Sequence, residues 1–405
     1  MGYTKEAFKG LSWMTVLRGS TRIISFIKIV VLARILTPEE FGLFGIASLA
    51  LSFLEIVTET GINVFLIQEK EDLKKYLNTA WVVSIIRGIV ISFFLIILAI
   101  PISLFFKSPE SRYILIIIGI VPFLRGFINP SIVKFQKELN FRREFYFRLI
   151  IFSFDAIVTL CLAYILKSAF SLVWGLISGV VLEIIISWLY IKPKPKFYFE
   201  LESIKKVVNR GKWITLSGIF NYLFQQGDDI VVGRILNTYS LGMYQIAYKL
   251  STLPITEGGE ILHKVFFPVY VKISDDKERL KKAFLKVIVF TSIIVLPLGM
   301  VIYLFPEMIV LFILGEKWIE IVPVLKILVV YAVLRSITSS ASPVFLAVRK
   351  QKYITIITLV GILGLAVCII PLVKNFGILG AGYAALISWL IVIPIIFFYL
   401  YKVFK

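Results

Sequence analysis

Long apolar runs separated by short polar stretches fill this chain from end to end. About 20 mostly apolar residues suffice to cross a bilayer as a helix. On that measure the pattern predicts twelve spans, near residues 10–36, 43–67, 81–106, 113–133, 147–166, 169–191, 213–236, 242–270, 285–305, 320–346, 353–373 and 378–401. Residues 306–319, which open on Pro306-Glu307, read as an interfacial segment between spans. The run 192–212 is the longest polar interruption. It carries Lys192, Pro193, Lys194, Pro195, Lys196, Lys205, Lys206, Arg210 and Lys212.

A repeat sets the organisation. Residues 30–47 and 230–247 align without a gap at a spacing of 200, with identities at Val31/Val231, Arg34/Arg234, Ile35/Ile235, Leu36/Leu236, Gly42/Gly242, Ile46/Ile246 and Ala47/Ala247. Trp13 and Trp213 share the offset. A period of half the chain is a duplicated half, not a solenoid unit. The expected fold class is therefore an all-α membrane protein of about twelve transmembrane helices in two six-helix repeats. The lobes are 1–191 and 213–405, with 192–212 as the linker. Function is expected in a central cavity between them.

Composition agrees with this reading. The chain has 405 residues, 59% of them hydrophobic, and a mean hydropathy of +0.92. A soluble protein of this size cannot hide so much apolar surface. The formal charge of +19 would suggest nucleic acid in a soluble protein, but no polar domain exists here to hold such a site. Cys161 and Cys368 lie in apolar runs and make neither a disulfide framework nor a metal site. No metal or other cofactor is expected. Lys5 and Lys9 precede the first apolar run, which no small-residue cleavage site closes, so it reads as a retained span.

Lys and Arg set the orientation. Twenty-eight fall on the side of 192–212, and only Lys107, Arg112, Lys167, Lys317 and Lys374 fall on the other. Positive residues stay cytoplasmic, so both termini and the linker are expected in the cytoplasm of a multi-pass cytoplasmic-membrane protein. An even number of spans per half makes the repeats parallel, related by an axis along the membrane normal.

The remaining basic residues sit inside spans: Arg18, Arg22, Lys28, Arg34, Arg87, Arg125, Arg234, Lys249, Lys264, Lys326 and Arg335. The intramembrane acids are Glu55, Glu59, Asp155, Glu183, Asp228, Asp229, Glu257 and Glu260. Each charge costs at least ~2.5–3.5 kcal/mol at the bilayer centre, so these groups line a wet cavity, pair, or snorkel. Arg18 and Arg22 are four apart and share a helix face, with Lys28 about 80° away around the helix. Together they form a basic stripe, and Arg87, Arg125, Lys249 and Arg335 extend the set of candidate cationic contacts. For Glu55, Glu59, Asp155, Glu183, Asp228 and Asp229, ion coupling and ion pairing both remain open. Arg34 and Arg234 end the first span of each half and suit a structural role at helical carbonyls. His263, the only histidine, reads as a packed or interfacial residue. No nucleophile–base constellation and no phosphate-binding loop is present.

The stretch Ala33-Arg34-Ile35-Leu36-Thr37-Pro38-Glu39-Glu40-Phe41-Gly42 resembles the polysaccharide transporter family. These are the O-antigen, colanic acid and teichuronic acid flippases of the multidrug/oligosaccharidyl-lipid/polysaccharide exporter superfamily. Gly61 to Gln68, Phe135 to Phe141, Asp228 to Leu236, Leu241 to Tyr244, Val265 to Tyr270 and Leu314 to Trp318 carry the resemblance along nearly the whole chain in family order. The resemblance implies a MATE-like fold of two lobes, alternating access, and a polyprenyl-pyrophosphate-linked oligosaccharide as cargo. Family members often have fourteen spans, whereas the pattern here gives twelve.

The expected function is thus a flippase rather than an enzyme. Its expected partners are membrane lipid, the lipid-linked glycan, a sodium or proton gradient and polysaccharide assembly proteins. A cation-coupled drug antiporter would share the fold but would favour an acidic cavity. A membrane glycosyltransferase or polymerase would need a large outer loop with carboxylates, and no outer loop exceeds about fifteen residues.

Overall fold

The computed structural model describes residues 2–59, 66, 73–198 and 201–405; for 2–11, 73–75, 201–214, 216–217 and 257–265 it describes backbone alone. Part of the family-like stretch Gly61 to Gln68 therefore lies outside the described residues, as do the side chains of Trp213, Glu257, Glu260, His263 and Lys264. The described elements are all helices, in two compact units, Met1–Tyr222 and Leu223–Lys405.

The first unit holds α1 (Gly2–Ile35), α2 (Pro38–Val57), α3 (Leu73–Phe105), α4 (Ser111–Ile118), α5 (Ile120–Arg125), a 3-10 turn (Pro130–Val133) leading into α6 (Lys134–Lys137), α7 (Phe141–Leu166), α8 (Phe170–Tyr190) and the first part of α9 (Leu201–Ile235). The second unit continues with α10 (Thr238–Lys272), α11 (Lys277–Leu304), α12 (Pro306–Ile313), a 3-10 turn (Glu316–Ile321), α13 (Val322–Ser339), α14 (Ala341–Ala347) and α15 (Gln351–Phe404).

The sequence repeat folds into the same local device twice. α1 ends at Ile35 and α2 starts at Pro38; α9 ends at Ile235 and α10 starts at Thr238. The polar residue between each pair caps the second helix. Thr37 Oγ1 accepts from the Glu40 N–H at 3.4 Å, and Asn237 Oδ1 accepts from the Ser240 N–H at 2.8 Å. Each cap satisfies an otherwise orphan helical donor. Arg34 and Arg234 lie in the last turns of α1 and α9, where a cation complements the helix dipole.

Seven described helical stretches are long and apolar enough to cross a bilayer, and a pair bent by 70°, Ser111–Arg125 with Pro130–Lys137, can form an eighth. α1, α9 and α10 are 34, 35 and 35 residues long; they carry Arg18, Arg22, Lys28, Asp228, Asp229 and Lys249, which lower their hydropathy. α15, which spans 54 residues, is two helices joined at Gly377, where φ is 59° and ψ −137°. A side chain at that φ is strained, and glycine avoids the penalty. The two expected spans 353–373 and 378–401 lie on either side of this junction.

Each unit has its own core. In the first, Leu43 and Leu51 of α2, Leu95 of α3, Ile114 and Ile118 of α4, and Val173 and Ile177 of α8 pack together. In the second, Tyr270, Phe284, Val344, Phe345, Val392 and Ile396 do so. Large apolar side chains also stand outward, including Leu104, Ile165, Phe312 and Val367 at 69–77% exposure. This is a surface for lipid, not water. Lipid is as apolar as a core, so helix association relies on close packing and polar contacts. Gly88 shows the packing component: a Cβ there would lie 2.4 Å from the Pro122 carbonyl oxygen, so only glycine lets α3 and α5 approach this closely.

Candidate functional sites

Closure of α3 on α5 creates a polar cavity of about 290 Å³ in the first unit. Three arginines and three glutamates meet around it. Arg87 donates to Glu59 Oε2 at 3.0 Å, to the Glu55 carbonyl at 2.6 Å and to Thr58 Oγ1 at 3.2 Å. Arg125 pairs with the Glu55 carboxylate. Arg148 donates to Glu183 Oε1 at 2.9 Å. Five of these six residues, Arg87, Arg125, Glu55, Glu59 and Glu183, were candidates from sequence; all of the six but Glu59 line the cavity, and Glu59 reaches it through Arg87. Arg148 was missed because it stands at the polar end of a run and counts as a loop cation; its location on α7 appears only in the fold. One wall is fixed by buried Asn129, whose Nδ2 donates to the Ile191 carbonyl at 3.1 Å and whose Oδ1 accepts from the Ser131 N–H at 3.0 Å.

A second polar cluster lies deeper in the same unit. Lys28 Nζ of α1 donates to both carboxylate oxygens of Asp155 on α7, at 3.1 and 2.9 Å, with each side chain 15% exposed. Thr159, one turn on, donates from Oγ1 to Asp155 Oδ1 at 3.2 Å. The cluster fits against α8 because α8 offers Gly175 and Gly179 at this level. A Cβ on Gly175 would lie 1.8 Å from Thr159 Oγ1, and one on Gly179 would lie 3.0 Å from Asp155 Cβ. The remaining α1 candidates, Arg18 and Arg22, are half-buried and exposed respectively.

In the second unit Asp228 is buried at 5% exposure. Its Oδ2 accepts from the Tyr244 hydroxyl at 2.7 Å and its Oδ1 from the Asp229 N–H at 3.0 Å. Asp229 turns to a different partner, accepting from Gln245 Nε2 at 3.2 Å. Adjacent carboxylates are thus separated by neighbouring residues of α10. Arg335 of α13 donates to the hydroxyls of Tyr248 and Tyr331 at 3.1 and 2.9 Å. Its guanidinium carbon also sits 5.7 Å from the ring centroids of Tyr331 and Trp389, within cation–π range. A cavity of about 20 Å³ opens beside Asp228, Gln225, Tyr248, Ser388 and Trp389, enough for one water-sized occupant. Lys249 stands exposed on α10. Tyr244, Tyr248, Tyr331 and Trp389 were not candidates from sequence. The four-residue spacings Tyr244/Tyr248 and Tyr331/Arg335 put each pair on one helix face and could have indicated them.

Among the described residues no group of three or more metal-ligating side chains comes together. The arrangement instead offers partly buried ion pairs and hydroxyl-lined charges within an apolar helix bundle.

Comparison with solved structures gives the fold. The inward closed conformation of the lipid II flippase MurJ superposes with a TM-score of 0.78 at 18% identity, covering 96% of this chain and 88% of that one. An inward-facing multidrug resistance MATE family transporter of the MOP superfamily gives a TM-score of 0.70 at 15% identity, over 96% of this chain and 97% of that one. The fold is the MATE-like fold of these membrane transporters. By sequence the chain belongs to the polysaccharide biosynthesis protein family, whose sequence profile matches residues 31–323. A relative is the teichuronic acid biosynthesis protein TuaB of Bacillus subtilis (strain 168), 25% identical over 353 residues, 85% of this chain and 72% of that protein.

Proposed function

We propose that this protein is a flippase that carries a lipid-linked oligosaccharide across the cytoplasmic membrane. The cargo is a polyprenyl-pyrophosphate-linked precursor of a surface or secreted polysaccharide. A pyrophosphate-sugar head group does not cross hydrocarbon unaided, since burying an unpaired charge is prohibitive. A hydrated, basic cavity replaces its water, while the prenyl tail stays in lipid; the chain is organised as two lobes, 1–191 and 213–405. The lobes alternate access around the bound head group, with both termini and 192–212 on the cytoplasmic side. Transport of this kind needs no covalent catalysis.

The observation that supports this reading is a concentration of arginine on the helices of a member of the polysaccharide biosynthesis protein family, with Arg87 and Arg335 on stretches apolar enough to cross a bilayer. Arg18 and Arg22 share a face of α1, and a guanidinium fork suits phosphate oxygens. Arg18 and Arg22 therefore receive the pyrophosphate. Asp228, with a water-sized cavity beside it, is the candidate for cation coupling.

The test is complementation of a flippase-deficient strain with expression matched. Arg18→Ala/Arg22→Ala is expected to lower transport of lipid-linked glycan roughly ten- to a hundredfold, the equivalent of one charge-assisted contact of ~1.5–3 kcal/mol. Lysine at both positions keeps the charge, loses the fork and is expected to do less harm. Transport at the unmodified rate by the double alanine variant would remove these arginines from the mechanism. Failure of the unmodified chain to complement, when made and inserted, would remove the flippase reading itself.

A further inference from the structure

Position 28 sets the two units apart. The repeat places Lys28 opposite Asp228 at the offset of 200. In the second unit that position supplies the buried carboxylate. In the first it supplies an ammonium, and the carboxylate comes from Asp155 on a different helix.

The Lys28 ammonium is seated as a bound cation would be. It reaches both Asp155 oxygens, at 2.9 and 3.1 Å, at the end of a side chain only 15% exposed. Thr159 donates from Oγ1 to Asp155 Oδ1 at 3.2 Å and fixes the carboxylate. The glycines of α8 leave the room: replacing Gly175 by any other residue would put a Cβ 3.1 Å from Asp155 Oδ1 and 1.8 Å from Thr159 Oγ1. Two carboxylate oxygens converging on one partly buried point are oxygen donors of the kind that suit a hard cation. A carboxylate kept from water needs a counter-charge; here the chain itself provides it.

We propose that the Lys28 ammonium is the resident occupant of a monovalent-cation site on the Asp155 carboxylate, which Thr159 holds in place, so that removing the lysine side chain opens this site to sodium or a small alkylammonium ion. The first unit then needs no external cation at this level, because its cation is tethered. This inference concerns ion occupancy and is independent of what the protein transports.

Thermal unfolding of the purified full-length protein in detergent tests it, at one mildly alkaline pH and constant ionic strength. Sodium chloride and methylammonium chloride are each compared with choline chloride, whose cation is too large for the site. Lys28→Ala is expected to gain a rise in Tm of about 3–8 °C in sodium or methylammonium beyond any rise in the unmodified protein, as binding to the folded state alone would give. Lys28→Ala/Asp155→Asn is expected to lose that extra rise. No extra rise in Lys28→Ala, or an extra rise that persists when Asp155 is gone, overturns the proposal. If Lys28→Ala folds poorly, yield of folded protein becomes the readout. Recovery in sodium but not in choline supports the site. Failure in both salts, when Lys28→Ala/Asp155→Asn folds in both, overturns it.

Discussion

The two units solve one problem, a carboxylate inside an apolar helix bundle, by different means. The first answers Asp155 with a full opposite charge on Lys28, both oxygens engaged. The second answers Asp228 with dipoles, the Tyr244 hydroxyl at 2.7 Å and the Asp229 N–H at 3.0 Å, and keeps its cation, Arg335, on the tyrosine hydroxyls of Tyr248 and Tyr331. An ion pair is self-neutral and closed to other ions. A carboxyl group held by hydroxyl and amide donors has a small cavity beside it. Repeats that start alike in sequence can thus diverge in chemistry through one helix position while the helix–cap–helix device around Thr37 and Asn237 stays the same.

That contrast can be broken most forcefully at the ion pair. Asp155→Ala strands the Lys28 ammonium away from water, and loss of one partner of a buried pair costs ~3–5 kcal/mol. Unfolding in detergent should show a loss of that order, with most of it recovered in Lys28→Met/Asp155→Leu, where neither charge remains. A cost below about 1 kcal/mol for the single variant would mean that Lys28 snorkels to water, as surface pairs are worth no more than this. A smaller effect is expected in the second unit. Tyr244→Phe removes one donor from Asp228 and keeps the ring packing, so a loss of ~1.5–3 kcal/mol is expected in the same assay. A loss matching that of Asp155→Ala would show that Tyr244 carries as much of the second unit as the ion pair does of the first. Smallest of the three is Gln245→Ala. Its amide sits 3.2 Å from the half-buried Asp229, and its removal should cost ~0.5–1.5 kcal/mol. A larger loss would indicate that Asp229, rather than Asp228, is the more constrained acid.

Much of this molecule was legible in the sequence. The apolar runs, the repeat at 30–47 and 230–247 and the family-like stretches gave the helical membrane class and the family, because hydropathy and helix capping act over short separations and leave their pattern along the chain. The intramembrane charges were legible as a set, because insertion makes each one expensive wherever it ends up. Their partners were not. Glu55 and Glu59 are four apart in the second expected span and could equally have met the cations of α1, yet Arg125 and Arg87 lie against them because Gly88 lets α3 close on α5. Arg148 looked like a loop cation and belongs to a cavity wall. Lys28 and Asp155 are 127 residues apart, and no periodicity links them. Sequence alone determined which residues are too polar for lipid; tertiary structure alone decided which of them meet, since pairing depends on where small residues let helices approach, and that is a property of surfaces brought together from distant parts of the chain.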